Sequence, residues 1–119
     1  MFSEPLTWVL IAAALLVGGV GGAYPGSNLE IGDVACAESE CYGDLGATSD
    51  QGFLDMEALG FPVIDMTPPI YNTIPLQIFP SARRTRFVTL STCTGTDDAA
   101  RALVARTSGG VESMEGAAI

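Results

Sequence analysis

The feature that most constrains this chain is an apolar run near its start, Pro5–Tyr24, which contains no charged side chain. As a helix, such a run would span about 30 Å, the hydrocarbon thickness of a bilayer. Pro5 suits the first turn of a helix, and Trp8 and Tyr24 lie near opposite ends, where interfacial aromatic residues are common. The run therefore predicts one uncleaved transmembrane helix within residues 1–24 and a single-pass membrane localisation.

A cleaved signal peptide is the alternative interpretation of this run. Leu6–Val17 has the length of a signal-peptide core, and Gly21 and Ala23 resemble a cleavage site of small residues. No lysine or arginine precedes the apolar residues, which favours an anchor over a cleaved signal. A buried soluble helix is disfavoured, because the rest of the chain is too short to cover a helix that is apolar on every face.

Small residues recur at every fourth position within the run, at Ala14, Gly18 and Gly22. On a helix they would share one face and let a second helix approach closely. The alternative is that the helix ends before Gly18 and the glycines form a flexible exit from the membrane. No arginine flanks the run, so the charge distribution predicts no orientation.

The charge of the chain is strongly acidic: 14 acidic residues face five arginines, without lysine or histidine, and the formal net charge is −9. Nucleic acid is excluded as the main partner, since phosphate binding needs clustered positive charge. All bases follow Pro80, whereas nine acids and no base lie between Pro25 and Pro80. This composition is expected of GC-rich codons, of a halophilic host whose proteins face high salt, or of both.

Four segments follow from the pattern: an anchor at 1–24, an acidic loop-rich segment at 25–60, a proline-rich extended or β segment with a short helix at 61–108, and a tail at 109–119. Five prolines in residues 61–80 exclude a helix and favour short extended pieces. These pieces would lie against the chain's own domain or against a neighbouring protein.

Two regular elements are predicted after the prolines. Phe87–Thr92 alternates apolar and polar residues, which is typical of a half-buried strand. Thr96–Arg106 is predicted to be a helix with Thr96 as its N-cap. The predicted fold class is thus a single N-terminal transmembrane α-helix followed by a small, irregular, mostly β domain with one short C-terminal helix.

The only dense positive patch consists of Arg83, Arg84 and Arg86. It either compensates locally for the acidic half of the chain or docks an acidic partner or a lipid phosphate.

The three cysteines, Cys36, Cys41 and Cys93, allow several states. Cys36 and Cys41 could form a local disulfide, Cys93 could pair with either of them or with a second copy of the chain, and free thiols are the remaining alternative. A zinc site is disfavoured, because histidine is absent and the spacing forms no paired CxxC motif.

No recognisable catalytic pattern is present. Without histidine there is no Ser-His or Cys-His pair, and no glycine-rich phosphate-binding motif follows a strand. We therefore expect no enzyme and no cofactor or metal. The predicted function is structural: the helix attaches a protein assembly to a bilayer, and the proline-rich segment contacts neighbouring subunits.

A short, acidic, lysine-free chain with one apolar helix resembles the minor membrane proteins of tailless icosahedral viruses that infect halophilic archaea and carry a membrane beneath the capsid. The resemblance implies a virion protein that ties the capsid shell to the internal membrane, with capsid proteins as partners. Two alternatives remain: a small accessory subunit of a respiratory or photosynthetic membrane complex, and a secreted, disulfide-held domain after signal cleavage.

Overall fold

A computed structural model describes residues 18–77 and 83–118 of the chain. They form a small, mostly β domain with one helix of three turns. The elements in chain order are β1 (Gly22–Ala23), β2 (Ala35–Tyr42), β3 (Gly46–Ser49), β4 (Gly52–Asp55), α1 (Met56–Leu59), β5 (Thr73–Pro75), β6 (Arg83–Thr89), α2 (Asp97–Thr107), β7 (Val111–Ser113) and a 3-10 turn (Gly116–Ala118).

The main sheet has five strands in the order β1-β7-β6-β2-β5, and β3 and β4 form a separate hairpin. The central pairs β2–β6 and β6–β7 are parallel, whereas the outer pairs β1–β7 and β2–β5 are antiparallel. Parallel neighbours need a crossover connection, and α2 supplies it between β6 and β7. This crossover places α2 on one face of the sheet.

The prediction of a transmembrane helix reaching Tyr24, and with it single-pass membrane localisation, is wrong. Among residues 18–77 and 83–118, no helix has the length and apolar character needed to cross a membrane. Gly22 and Ala23 instead pair with β7 as a strand, and the Tyr24 amide donates to the Gly110 carbonyl at 2.9 Å. The end of the apolar run is therefore extended chain within the sheet, and residues 1–17 lie outside the described part.

The hydrophobic core lies between α2 and the sheet. Val88, on the central strand, has no exposed surface, and Tyr24, Leu90 and Ala100 are buried around it. Leu103 and Val104 of α2 pack against this cluster. So few fully buried side chains make a small core for a domain of this size.

Helix α2 confirms the predicted helix over Thr96–Arg106, with a shift of one residue at its end. The Thr96 hydroxyl accepts a hydrogen bond from the Ala99 amide at 3.2 Å, as an N-cap does. Ser108 ends the helix in the left-handed conformation with φ of 58°. The chain then enters β7 through Gly109 and Gly110.

These two glycines are positions of close approach. A Cβ at Gly109 would overlap the Val88 side chain, and one at Gly110 would overlap Thr85. The absence of side chains there lets the α2–β7 connection lie directly on the sheet.

The C-terminal 3-10 turn covers part of the opposite face of the sheet. The Ala117 amide donates to the Thr89 hydroxyl at 2.9 Å, and that hydroxyl donates to the Glu40 carboxylate at 3.1 Å. Gly116 lies so close to Glu40 that a Cβ there would overlap the carboxylate. Residues 109–118 of the segment predicted as a tail are thus part of the folded domain.

Candidate interaction surface

An exposed loop at residues 61–70, here called the docking loop, leaves α1 and returns toward β5. It is closed by main-chain hydrogen bonds between Ile64 and Ile70, at 3.1 and 3.0 Å, and by one from the Val63 amide to the Ile70 carbonyl at 2.8 Å. Pro68 and Pro69 lie in its tip, where no amide donor is needed. The loop is therefore an ordered hairpin-like projection.

The docking loop presents its largest apolar side chains to solvent. Phe61 is 64% exposed, Ile64 42% and Met66 50%, whereas Val63 and Ile70 are half-buried on its inner side. An apolar cluster on an ordered loop is a feature of binding surfaces, although single exposed apolar residues are ordinary. The sequence predicted that this segment lies against a surface, and its outer side is uncovered within the described residues.

The start of the docking loop is fixed by α1. The Asp55 carboxylate accepts from the Ala58 amide at 2.9 Å as its N-cap, and Gly60 ends the helix with φ of 78°. The Phe61 amide then donates to the Met56 carbonyl at 3.0 Å. A short helical turn capped at both ends thus sets the direction in which Phe61 projects.

The return of the docking loop is fixed by Asn72, which is buried. Its side-chain amide donates to the carbonyls of Tyr42 and Leu45 at 2.9 and 2.8 Å. Its side-chain oxygen accepts from the Met56 amide at 2.7 Å. One side chain therefore joins strand β2, the start of the β3–β4 hairpin and α1, and no pattern in the sequence pointed to it.

The chain segment that contains the docking loop is acidic. Asp65 lies in the loop, Asp55 and Glu57 are exposed at its base, and no basic residue occurs between Pro25 and Gln77. A surface that binds this loop is therefore expected to combine an apolar groove with a basic rim.

The three arginines of the predicted docking patch all belong to β6 but have different surroundings. Arg83 donates to the Asn28 carbonyl at 2.7 Å and forms an ion pair with Asp33 at 3.3 Å. Arg86 is half-buried, donates to the Thr107 carbonyl at 2.8 Å and contacts the Ser39 hydroxyl at 3.2 Å. Arg84 is exposed. Arg83 and Arg86 thus have partners within the domain.

The predicted disulfide is wrong: Cys36, Cys41 and Cys93 are all free thiols. Cys36 and Cys41 both belong to β2, and an extended strand separates residues five apart by about 16 Å. Disulfide-bonded Cα atoms are usually less than about 7 Å apart, so the strand prevents a local bridge. Cys93 is exposed, and its sulfur lies 3.6 Å from that of Met114.

The predicted helix-packing stripe is not a helical face in the described residues. Gly18 is exposed and Gly22 belongs to β1, so strand geometry replaces the helical spacing that would align them. Ala14 lies outside the described part of the chain.

A polar network joins β1, β7 and the loop before α2. The Glu112 carboxylate accepts from the Tyr24 hydroxyl at 2.8 Å, from the Thr94 amide at 3.0 Å and from the Thr94 hydroxyl. Partial burial opposes ionisation of Glu112, but these hydrogen bonds outweigh it and hold the pKa of that carboxyl below its ordinary value. Burial and the neighbouring carboxylate raise the pKa of Tyr24, so the phenol stays protonated and keeps donating.

Glu40 is a buried carboxyl in strand β2, which lies beside the central strand β6, and it is only 5% exposed. Burial raises its pKa above the ordinary 4.5, although the hydrogen bond from Thr89 partly opposes the shift. A raised pKa in the folded state means that the folded protein holds this proton more tightly than the unfolded chain does. The resulting stabilisation is present below pH ~4.5 and is lost as pH rises through the folded-state pKa.

Glu40→Gln is therefore expected to raise the free energy of unfolding at pH 7 by about 1 kcal/mol, because the amide carries no charge to bury. The gain over the native protein should shrink as pH falls toward 4, where Glu40 is itself neutral. Urea unfolding at both pH values measures the difference. Glu38→Gln, at an exposed position of the same strand, is the control; an equal gain from both substitutions would contradict the argument.

Within residues 18–77 and 83–118, no three His, Cys, Asp or Glu side chains are grouped closely enough to hold a metal ion.

No protein-family model matches the chain, and neither does any curated protein or solved structure.

Proposed function

We propose that the chain is a structural protein that binds a neighbouring protein of an assembly through the docking loop. The observation that carries this proposal is the joint exposure of Phe61, Ile64 and Met66 on a loop whose backbone is held by hydrogen bonds at both ends. Because the loop is already ordered, binding costs little conformational entropy. This is the condition under which a few apolar side chains give useful affinity.

The size of the apolar contact supports the same interpretation. Full burial of one large apolar side chain is worth about 1.5–3 kcal/mol. The docking loop leaves three such side chains 42–64% exposed, whereas the buried cluster between α2 and the sheet has four members, Tyr24, Val88, Leu90 and Ala100. A partner that covers the loop would therefore bury apolar surface that the domain itself leaves exposed.

The partner favoured by the charges is a different protein with basic residues around an apolar groove. A second copy of the chain would bring Asp65 and Glu57 toward equally acidic surroundings, which like-charge repulsion disfavours. The docking loop belongs to the proline-rich segment from which an assembly contact was expected. Attachment to a bilayer is not part of this function, because no described helix can cross one.

Ile64→Glu is expected to weaken capture of the partner at least ~10-fold, since a carboxylate in an apolar interface costs more than ~1.4 kcal/mol. The measurement is a quantitative pull-down of the tagged full chain from its source cells. A photo-crosslinking residue at Met66 would identify the contacting protein and its contact site.

Ile31→Glu is the matched control, because Ile31 is fully exposed but lies outside the docking loop. It introduces the same charge and should leave both the captured protein and the crosslink unchanged. Equal loss of capture in the two variants would contradict a role for the loop. A crosslink to another copy of this chain would instead assign the loop to self-association.

A further inference from the structure

A small cavity lies beside the C-terminal end of α2, and none of residues 61–70 of the docking loop lines it. Its volume is about 240 Å³, less than the ~300 Å³ at which pockets for drug-sized ligands begin. It is lined by Cys41, Tyr42, Phe53, Asp55, Asn72, Thr73, Arg86, Arg106 and Thr107. Two of the five arginines of a strongly acidic protein thus line one cavity.

The Arg86 guanidinium is fixed in place at this cavity. Its Nη1 donates to the Thr107 carbonyl at 2.8 Å and its Nε donates to the Ser39 hydroxyl at 3.2 Å. These bonds hold the group against the end of α2, where unpaired carbonyls carry partial negative charge. The remaining N–H groups, those of Nη2 among them, have no protein acceptor within the described residues.

The Arg106 guanidinium is held by a different contact. Its central carbon lies 4.0 Å from the centre of the Phe53 ring, a cation–π contact. A contact with the ring face uses none of the N–H donors, so these stay available to a ligand. Within the described part of the chain, neither Arg86 nor Arg106 forms an ion pair.

Only one acidic side chain lines the cavity, and it already has a partner. Asp55 caps α1 by accepting from the Ala58 amide at 2.9 Å. The charged groups that line the cavity are therefore two guanidinium groups and the Asp55 carboxylate, which is already hydrogen-bonded to the Ala58 amide. Their sum is positive, whereas the net charge of the whole protein is −9. Such a local reversal of charge attracts a small anion.

We propose that this cavity binds a small tetrahedral oxyanion of the phosphate class. Guanidinium groups donate paired hydrogen bonds to phosphate oxygens, and two of them match the double charge that phosphate carries near neutral pH. The proposal does not depend on protein binding by the docking loop, although Asp55 and Asn72 line the cavity and also hold the two ends of that loop.

The test uses the full chain and inorganic phosphate. Isothermal titration calorimetry in a chloride buffer of constant ionic strength should show saturable binding of one phosphate per chain. Arg106→Gln should weaken this binding at least ~10-fold, the effect of a lost charge-assisted contact of about 1.4 kcal/mol. Arg106 is exposed, so circular dichroism should show an unchanged fold.

Arg101→Gln is the matched control, because it removes the same charge from the same helix at a residue that does not line the cavity. It should leave the phosphate affinity unchanged within twofold. The proposal is overturned if native protein shows no saturable phosphate binding, if the two variants weaken binding equally, or if acetate at the same concentration binds as tightly as phosphate.

Discussion

Gly109→Ala is expected to destabilise the domain by about 1–3 kcal/mol, the usual cost of overfilling a packed core. The added methyl group would overlap Val88, which has no exposed surface, and would lie 3.4 Å from the Tyr24 ring. Neither neighbour can move into solvent, so the connection between α2 and β7 would have to shift off the sheet. The midpoint of urea unfolding, followed by circular dichroism, measures the loss.

Gly95→Ala is the control for that substitution. A Cβ at Gly95 has no neighbour within 4 Å, and its backbone does not require positive φ. The same chemical change there should alter the free energy of unfolding by less than about 0.5 kcal/mol. Equal unfolding midpoints for native protein and Gly109→Ala would show that the close approach to Val88 is not needed.

Asn72→Ala is expected to cost about 2–4 kcal/mol. The substitution leaves the carbonyls of Tyr42 and Leu45 and the amide of Met56 without their side-chain partner. A buried group left unsatisfied costs about 1–3 kcal/mol, and part of this cost is recovered where water can enter. Hydrogen exchange should show faster exchange in the β3–β4 hairpin and α1, which Asn72 joins to the sheet.

Gln77→Ala provides the comparison, since Gln77 is an exposed amide beyond the end of β5. We expect its unfolding midpoint to match that of the native protein. Should Asn72→Ala also unfold at the native midpoint, the three hydrogen bonds would not determine how the hairpin is held.

Local signals in the sequence predicted the elements whose determinants lie within a few residues. Thr96 predicts the start of α2 as its N-cap, and the alternation over Phe87–Thr92 predicts a strand that overlaps the end of β6. The prolines of residues 61–80 exclude a helix there, and the described part contains only a bridge and the short strand β5.

The elements that could not be predicted depend on distant partners. Strand β2 reads ACAESECY, and its burial of Glu40 becomes visible only once Thr89 and the C-terminal turn are adjacent. Strand β1 consists of Gly22 and Ala23, which resemble the end of an apolar helix until β7 pairs with them. Hydropathy alone cannot separate these outcomes, because Gly22 and Ala23 are small residues that fit the end of a helix as well as an exposed strand.

The sites depend on the same distant contacts. The sequence drew attention to Arg86 as a member of a surface patch, whereas the structure places it beside Arg106 in a cavity. No motif or periodicity in the sequence distinguishes Asn72 from an ordinary surface residue. The docking loop differs in that its prolines and apolar residues are adjacent in the chain, and they predicted a segment that lies against the chain's own domain or a neighbouring protein.

The order of strands across the sheet has a consequence for biosynthesis. The first strand of the described chain, β1, pairs only with the last, β7. Strand β2 finds its parallel partner, the central strand β6, only after the hairpin, the docking loop and β5 have been made. Folding dominated by such non-local pairings is slow. A nascent chain on the ribosome therefore cannot complete this sheet until Val111–Ser113 has emerged, and truncation before Val111 would leave β1 and one side of β6 without neighbours.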